Sequence, residues 1–268
     1  MEPIRCPLDA PLAADEQQVF ERFASLVPLH GLRVLEIGGR LPAALTESRG
    51  VRRWCSVDPR NTHAESSEYA ALRGIAEELP LDRSSVDAVF ASNSLQHVLR
   101  PEAALAEAAR VLKPGGVLYA NFGPIWSAPD GSHVEAFVFE GQRYDFWTHT
   151  LLPAWAHLVL DRGELTELLS AIHGNRFAAA IVEWLETSKW TNRLTLRDYA
   201  RLCERSPLSV RRFAGTTEFG YGFTPPATEH PLGRDLSPPG LAARAEARYG
   251  LAPADLLVRD LEIVLEKR

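Results

Sequence analysis

Apolar residues fall into two rhythms over the first half of the chain. Short apolar runs read as strands buried on both faces: Arg33-Val34-Leu35-Glu36-Ile37, Trp54-Cys55-Ser56-Val57, Val86-Asp87-Ala88-Val89-Phe90-Ala91 and Val117-Leu118-Tyr119-Ala120-Asn121-Phe122. Helical spacing appears between and before them. Val19, Phe20, Phe23, Ala24 and Val27 share one face of a segment that Asp15 can cap and Pro28 ends. Leu105, Ala108, Ala109 and Leu112 do the same between Glu102 and Leu112. Pro42 to Glu47 predicts a short helix with proline in its first turn and Gly50 as its stop. Residues 61–73 are polar and predict a further helix, and Lys113-Pro114-Gly115-Gly116 predicts a tight turn. Strand alternating with helix implies a parallel sheet covered on both faces.

The pattern changes on either side of this region. Residues 1–14 carry Pro3, Pro7 and Pro11 and predict an extended arm. Residues 123–160 hold Trp126, Trp147, Trp155, Phe137, Phe139, Tyr144 and Phe146 with no clean period, which predicts an insertion over the C-terminal edge of the sheet. Helices are expected over 164–172, 177–186 and 196–205, the last with Thr195 as cap. Residues 208–217 predict a strand, 220–240 a loop, 241–249 a helix and 256–266 a final strand pairing antiparallel with 208–217. The chain thus divides into an N-terminal arm and helix (1–29), a ligand-binding core (30–125), an aromatic-rich and helical cap insertion (126–205) and C-terminal strands that complete the sheet (206–268).

Composition narrows the class. With 268 residues, 46% hydrophobic and 24% charged, the chain suits one globular domain with a cap. A net charge of −6 argues against a nucleic-acid surface. Cys6, Cys55 and Cys203 are odd in number and far apart, which argues against a disulfide framework or a zinc site and fits a reducing cytoplasm. No apolar run is long enough to span a membrane, and no secretory signal pattern opens the chain.

The chemistry starts at Glu36-Ile37-Gly38-Gly39. Glycines after a buried strand let the backbone turn and let a ligand approach closely. A carboxylate at the end of the next strand, Asp58, is the group that takes a ribose in a Rossmann-like sheet. A nicotinamide oxidoreductase shares these features, but the third glycine of its fingerprint is missing.

Five segments together resemble one family. They are Val34-Leu35-Glu36-Ile37-Gly38, Asp58, Ala76-Glu77-Glu78-Leu79-Pro80, Val86-Asp87-Ala88-Val89 leading to His97-Val98, and Arg110-Val111-Leu112-Lys113-Pro114-Gly115-Gly116. At this spacing the chain is similar over residues 30–125 to class I S-adenosylmethionine-dependent methyltransferases, in their small-molecule branch. The resemblance implies an α/β fold: a Rossmann-like three-layer sandwich with a mostly parallel seven-stranded sheet, an antiparallel edge strand and an insertion after the fifth strand. It implies S-adenosylmethionine as cofactor, a small-molecule methyl acceptor whose attacking atom (O, N or C) stays open, and no nucleic-acid or membrane partner; a homodimer stays open as its assembly. It also implies roles. Gly38 and Gly39 pass under the methionine part, Glu36 lies near its amino end, Asp58 takes both ribose hydroxyls, Ala76 and Glu77 meet the adenine, and Asn93 lines the methyl end. Arg40 and Pro42 stand where the family has further glycines, and Ile75 where it has aspartate.

Histidine is the natural base for removing a proton from an acceptor at neutral pH. His133, in a loop after the fifth strand, His97 and His157 are the catalytic candidates. His133, Glu135 and His157 do not have the spacing of a metal site, so no metal is expected. Trp126 and Tyr144 are candidates for a pocket wall or a cation-holding ring. A protein that binds S-adenosylmethionine without transferring methyl, and a non-enzymatic scaffold, are the alternative readings.

Overall fold

The buried apolar runs form the centre of one sheet in the computed structural model, which describes residues 4–13, 15–226, 228–236 and 238–268. Pro3 and Ala14 of the N-terminal arm, and Ala227 and Ser237, lie outside the described residues. The strands are β1 (Arg33–Ile37), β2 (Arg53–Asp58), β3 (Ala64–Glu65), β4 (Tyr69–Arg73), β5 (Val86–Ser92), β6 (Leu112–Phe122), β7 (Phe137–Phe139), β8 (Gln142–Tyr144), β9 (Ser209–Thr216) and β10 (Asp260–Glu266). The helices are α1 (Glu16–Leu26), α2 (Ala43–Glu47), α3 (Pro101–Val111), α4 (Ala156–Val159), α5 (Arg162–His173), α6 (Asn175–Thr187), α7 (Leu196–Arg205), α8 (Pro231–Asp235) and α9 (Pro238–Tyr249). Eight strands make the main sheet in the order β3-β4-β2-β1-β5-β6-β10-β9, and β7 and β8 pair separately. The short β3 is the strand beyond the seven expected.

The five strands from β4 to β6 run parallel, and β10, β9 and β3 are antiparallel to their neighbours. The chain builds outward from β1 to β2 and β4, then returns across β1 to place β5 and β6 on the other side. The strand order reverses between β1 and β5, and ligands of open α/β sheets bind outside the C-terminal strand ends at such a point.

Three expectations are corrected. Residues 61–73 are not helical: Tyr69–Arg73 pairs in parallel with β2, and the two-residue β3 closes that edge. Its side chains suit a helix equally well, and the free edge of β2 decides the matter. Lys113 to Gly116 does not leave the sheet. Val86 pairs with Leu112 and Ala88 with Val117, so these residues bulge within β6, and Gly115 and Gly116 exchange backbone bonds with Lys267. The segment 220–240 is not all loop, because α8 and the start of α9 lie in it; the final strand begins at Asp260, after a 3-10 turn over Pro253–Leu257.

The chain separates into two compact units. One comprises residues 1–123, 198–216 and 260–268, the other 124–197 and 217–259. In the first, Asp15 accepts from the amides of Gln17 and Gln18 and caps α1. Val19, Phe20 and Phe23 of that helix are buried against Trp54, Phe90 and Tyr119. Phe20 meets the Trp54 ring edge-on at 5.7 Å, and Phe23 lies 5.2 Å from Phe90. A buried carboxylate, Glu262, is satisfied by Arg22 at 2.8 Å, by Arg212 and by the Tyr119 hydroxyl at 3.2 Å. The second unit packs α5 against α6 around Leu168, Leu169, Ala178 and Ile181, with α9 adding Leu241 and Ala245. An Asp161–Glu164 capping box starts α5.

Candidate functional site

Strand β1 ends in a carboxylate and two glycines at the reversal point. Gly38 and Gly39 both have positive φ, 74° and 77°. A Cβ on Gly38 would lie 2.5 Å from the Cβ of Ser94, just beyond β5. A Cβ on Gly39 would lie 2.6 Å from Glu16 Oε1 and 3.2 Å from Glu36 Oε1. At Gly38 only glycine satisfies both the dihedral angle and the space, while at Gly39 the dihedral angle is what favours glycine. The loop is held from below: the Ser56 hydroxyl donates to the Gly39 carbonyl at 2.7 Å, and the Asn61 amide donates to Ser56 Oγ at 3.2 Å.

Glu36 is wholly buried. The Leu41 amide donates to its two oxygens at 3.1 and 3.2 Å, and the Trp54 indole donates at 2.7 Å. Burial outweighs these bonds and pushes its carboxyl up to about 8, with the nearby charge of Glu16 adding to the rise. Glu16 is itself raised by burial and by Asp15. Arg40 is exposed, and Pro42 precedes the short α2. Tyr69 donates to the Leu41 carbonyl at 3.1 Å and fixes the far end of the loop.

Asp58 is buried at the end of β2. Its Oδ2 accepts from the Gly39 amide at 3.3 Å, and its Oδ1 from the Arg60 amide at 2.7 Å. It therefore stands beside the glycine loop with lone pairs left over. Ala76 is buried, while its neighbour Ile75 is 41% exposed and offers an apolar surface beside it. Glu77 accepts from the Arg100 amide at 3.2 Å.

Asn93 adopts φ of 45°, and its side chain donates to the Ala13 carbonyl at 2.6 Å. Asn121 donates to the Pro11 carbonyl at 3.0 Å, and the Ala13 amide donates to Asp260 Oδ2 at 2.9 Å. Further back, the Gly215 amide donates to the Pro7 carbonyl and the Ala10 amide to the Gly215 carbonyl. The N-terminal arm thus runs along the C-terminal edge of the sheet. Ser92 Oγ, Ser94 Oγ, Gln96 Oε1 and Asn121 Oδ1 are buried there without a hydrogen-bond partner among the described residues. Unpaired buried polar atoms are costly and gather where a ligand is bound.

His97 ends a 3-10 turn after β5, in the first unit. His133 and His157 belong to the second. His133 has φ of 46°, is buried, and lies 4.4 Å from the Phe146 ring. Its Nε2 is 3.5 Å from Glu135 Oε2, which also accepts from the Trp190 indole at 2.8 Å. His133 lines a small, partly open pocket with Trp126, Trp184, Trp190 and Arg193. His157 Nε2 contacts the Trp126 carbonyl at 2.9 Å, and burial pushes its imidazole down to about 4. Its neutral ring braces Trp126, which it meets edge-on at 4.7 Å. Tyr144 packs among Phe137, His149 and Phe177.

Sequence reasoning missed Glu16, Ser94 and the supports of the glycine loop, Ser56 and Trp54. Glu16 carries no distinguishing signal, because an acidic residue in the first turn is ordinary helix chemistry.

The strand order and the glycine turn at its reversal point make this a Rossmann-like fold. Residues 34–120 match the family described as "Methyltransferase domain". An uncharacterised methyltransferase of Mycobacterium tuberculosis is 40% identical over 113 residues, 39% of this chain and 44% of that protein. The malonyl-[acyl-carrier protein] O-methyltransferase of Methylococcus capsulatus is 42% identical over 74 residues, 24% of this chain and 27% of that protein. The chain thus spans less than half the length of these curated relatives. Among solved structures, a methyltransferase of Haloferax volcanii in complex with the Trm112 activator has 17% identity and a TM-score of 0.50, covering 93% of this chain and 88% of that one. A methyltransferase of Listeria monocytogenes has 14% identity and the same TM-score, 0.50, covering 94% and 98%. These likenesses establish the fold. The methyl donor of the family is S-adenosylmethionine. The residues present fit it: a glycine cradle with no room for a Cβ, a carboxylate beside it for a ribose, and buried polar atoms awaiting partners. Among the described residues no helix is long and apolar enough to cross a membrane.

Proposed function

We propose that this chain transfers a methyl group from S-adenosylmethionine to a small-molecule acceptor. The observation that carries the reading is the convergence of Gly38, Gly39 and Asp58 at the point where the strand order reverses. When bound, the donor supplies an electrophilic methyl on a sulfonium. Asp58 accepts from the ribose hydroxyls, Ala76 and Glu77 meet the adenine edge, and Ile75 packs against its face in place of a polar contact. Glu36 faces the amino end, and Asn93 lines the methyl end.

The second unit serves the acceptor. Trp126, Trp184 and Trp190 stand beside His133 around a small pocket, and their ring faces suit contact with a cationic group. His133 takes the proton of a hydroxyl or ammonium acceptor, freeing the oxygen or amine lone pair that attacks the methyl, and Glu135 orients the ring and stabilises its charged form. His157 acts through Trp126 as a positioning residue, since a ring held neutral by burial and bonded to a carbonyl is poorly suited to receive a proton. His97 remains a candidate for contact with the acceptor. The three cysteines are free thiols, which fits a reducing compartment such as the cytoplasm.

Calorimetry with S-adenosylhomocysteine, the demethylated product, tests the donor site, and micromolar binding is the expected result. Mass spectrometry of a small-molecule panel incubated with S-adenosylmethionine then tests transfer, with a gain of one methyl on at least one acceptor expected. Binding without any methylated product favours a protein that uses the donor for another purpose. Absence of binding sinks the reading.

A further inference from the structure

Resting on the donor-site reading, we propose that Glu16, carried on the first turn of α1, is a second carboxylate for the donor's ammonium group and sets the preference for ligands with an amino-acid tail. Glu16 Oε1 and Glu36 Oε1 both lie within 3.2 Å of one point, the place a Cβ on Gly39 would take. Two carboxylates converge on that point from different elements, one from α1 and one from β1.

The Glu16 carboxylate is half-buried and makes no hydrogen bond or ion pair among the described residues. Glu36, by contrast, is bonded to Leu41 and Trp54. A first-turn acid serving only the helix dipole would stand in solvent beside the cap. This one turns inward onto the glycine loop. Desolvating a carboxylate against another carboxylate is unfavourable until a cation joins them.

A further polar group on the same loop lacks a partner. Ser94 Oγ is buried, has no hydrogen-bond partner among the described residues, and stands 3.3 Å from the Cβ position of Gly38. It is a donor and acceptor aimed at the glycine turn. An amino acid's ammonium and carboxylate would meet, respectively, the two glutamates and the serine hydroxyl with its neighbouring amides.

The placement of Glu16 is itself enforced. Residues just before it are tied to the sheet edge through Ala13, which is bonded to both Asn93 and Asp260. Asp15 then caps the helix and starts α1 at Glu16. The arm therefore delivers this side chain to the loop at a fixed position.

The experiment compares two ligands on the full chain. S-adenosylhomocysteine carries the amino-acid tail, and 5′-methylthioadenosine is the same nucleoside without it. For Glu16→Gln, calorimetry should show an affinity for S-adenosylhomocysteine at least tenfold weaker than in the parent chain. Affinity for 5′-methylthioadenosine should change less than twofold. Glu16→Asp should recover part of the loss. Equal affinities of Glu16→Gln and parent for S-adenosylhomocysteine overturn the inference while leaving the donor site intact. Equal weakening toward both ligands overturns it in favour of a structural role for Glu16. Failure of the parent chain to bind either ligand removes the donor site and the inference with it.

Discussion

The Cβ of Ser94 stands 2.5 Å from the position that a Cβ on Gly38 would occupy. The crevice between β1 and β5 is therefore closed to any side chain at residue 38, and the φ of 74° there adds strain for an L-residue. Gly38→Ala is expected to cost about 1–3 kcal/mol of stability and to abolish calorimetric binding of S-adenosylhomocysteine. Urea denaturation and titration on the same preparation check both. Parental stability together with parental binding would show that the backbone need not approach the ligand.

Glu36 gives stability a pH dependence. In the folded chain its carboxyl is pushed up to about 8 by burial, against an ordinary value of 4.5. Between these values the folded state holds a proton that the unfolded state has released. The contribution of this group is full below pH 4.5, declines as pH rises, and is lost once pH passes about 8. The slope is at most about 1.4 kcal/mol per pH unit from this one carboxyl. Denaturation curves across that window should show the decline in the parent and a flatter profile in Glu36→Gln. A cation bound beside Glu36 favours its ionised form, so S-adenosylhomocysteine should bind more tightly as pH approaches 8 and should release a proton on binding at neutral pH.

His133 and Glu135 should affect transfer without affecting the donor. His133→Ala removes the proposed base, and methyl transfer to a hydroxyl or ammonium acceptor is expected to fall about 100-fold or more. Glu135→Gln keeps an oxygen for the Trp190 indole and loses only the charge beside His133, so its effect should be smaller and of the same kind. Single-turnover rates, with S-adenosylhomocysteine affinity as the control, separate transfer from donor binding. Unchanged rates in His133→Ala would assign the base elsewhere.

Asp130 and Arg259 form a buried ion pair at 2.9 Å in the second unit. The same aspartate oxygen accepts from the Tyr221 hydroxyl at 2.6 Å, and the Arg259 guanidinium lies over the Phe219 and Tyr221 rings at 5.2 and 5.4 Å. Burial and the neighbouring Asp130 charge raise the Tyr221 phenol above its ordinary range, so it stays a donor. Asp130→Asn removes the carboxylate charge that faces this buried guanidinium, at an expected cost of about 3–5 kcal/mol. Chemical denaturation measures it, and a loss below about 1 kcal/mol would mean that water reaches the guanidinium.

The legible part of this protein is its local chemistry. β1, β2, β5 and the later part of β6 are apolar runs that make sense only with both faces covered, and those runs alone place Glu36, Gly38, Gly39 and Asp58 at strand ends. Asp15 marks the start of α1 by the same local logic. Tyr69–Arg73 carries no such mark, because Tyr-Ala-Ala-Leu-Arg suits a helix as well as a strand and only the edge of β2 selects between them. Lys113 to Gly116 reads as a turn because the bulge that keeps it in β6 depends on Lys267, far along the chain.

The sequence by itself determined the sheet's centre, the glycine turn and the carboxylate that ends β2, since each follows from burial, backbone freedom or spacing within a few residues. Tertiary structure decided which distant groups meet at that turn. Glu16, Ser94 and the arm held by Asn93, Asn121 and Asp260 reach it through contacts as many as 247 residues apart. Such meetings leave no periodic trace, because an acidic first-turn residue, a serine after a strand and a proline-bearing arm are each ordinary where they stand.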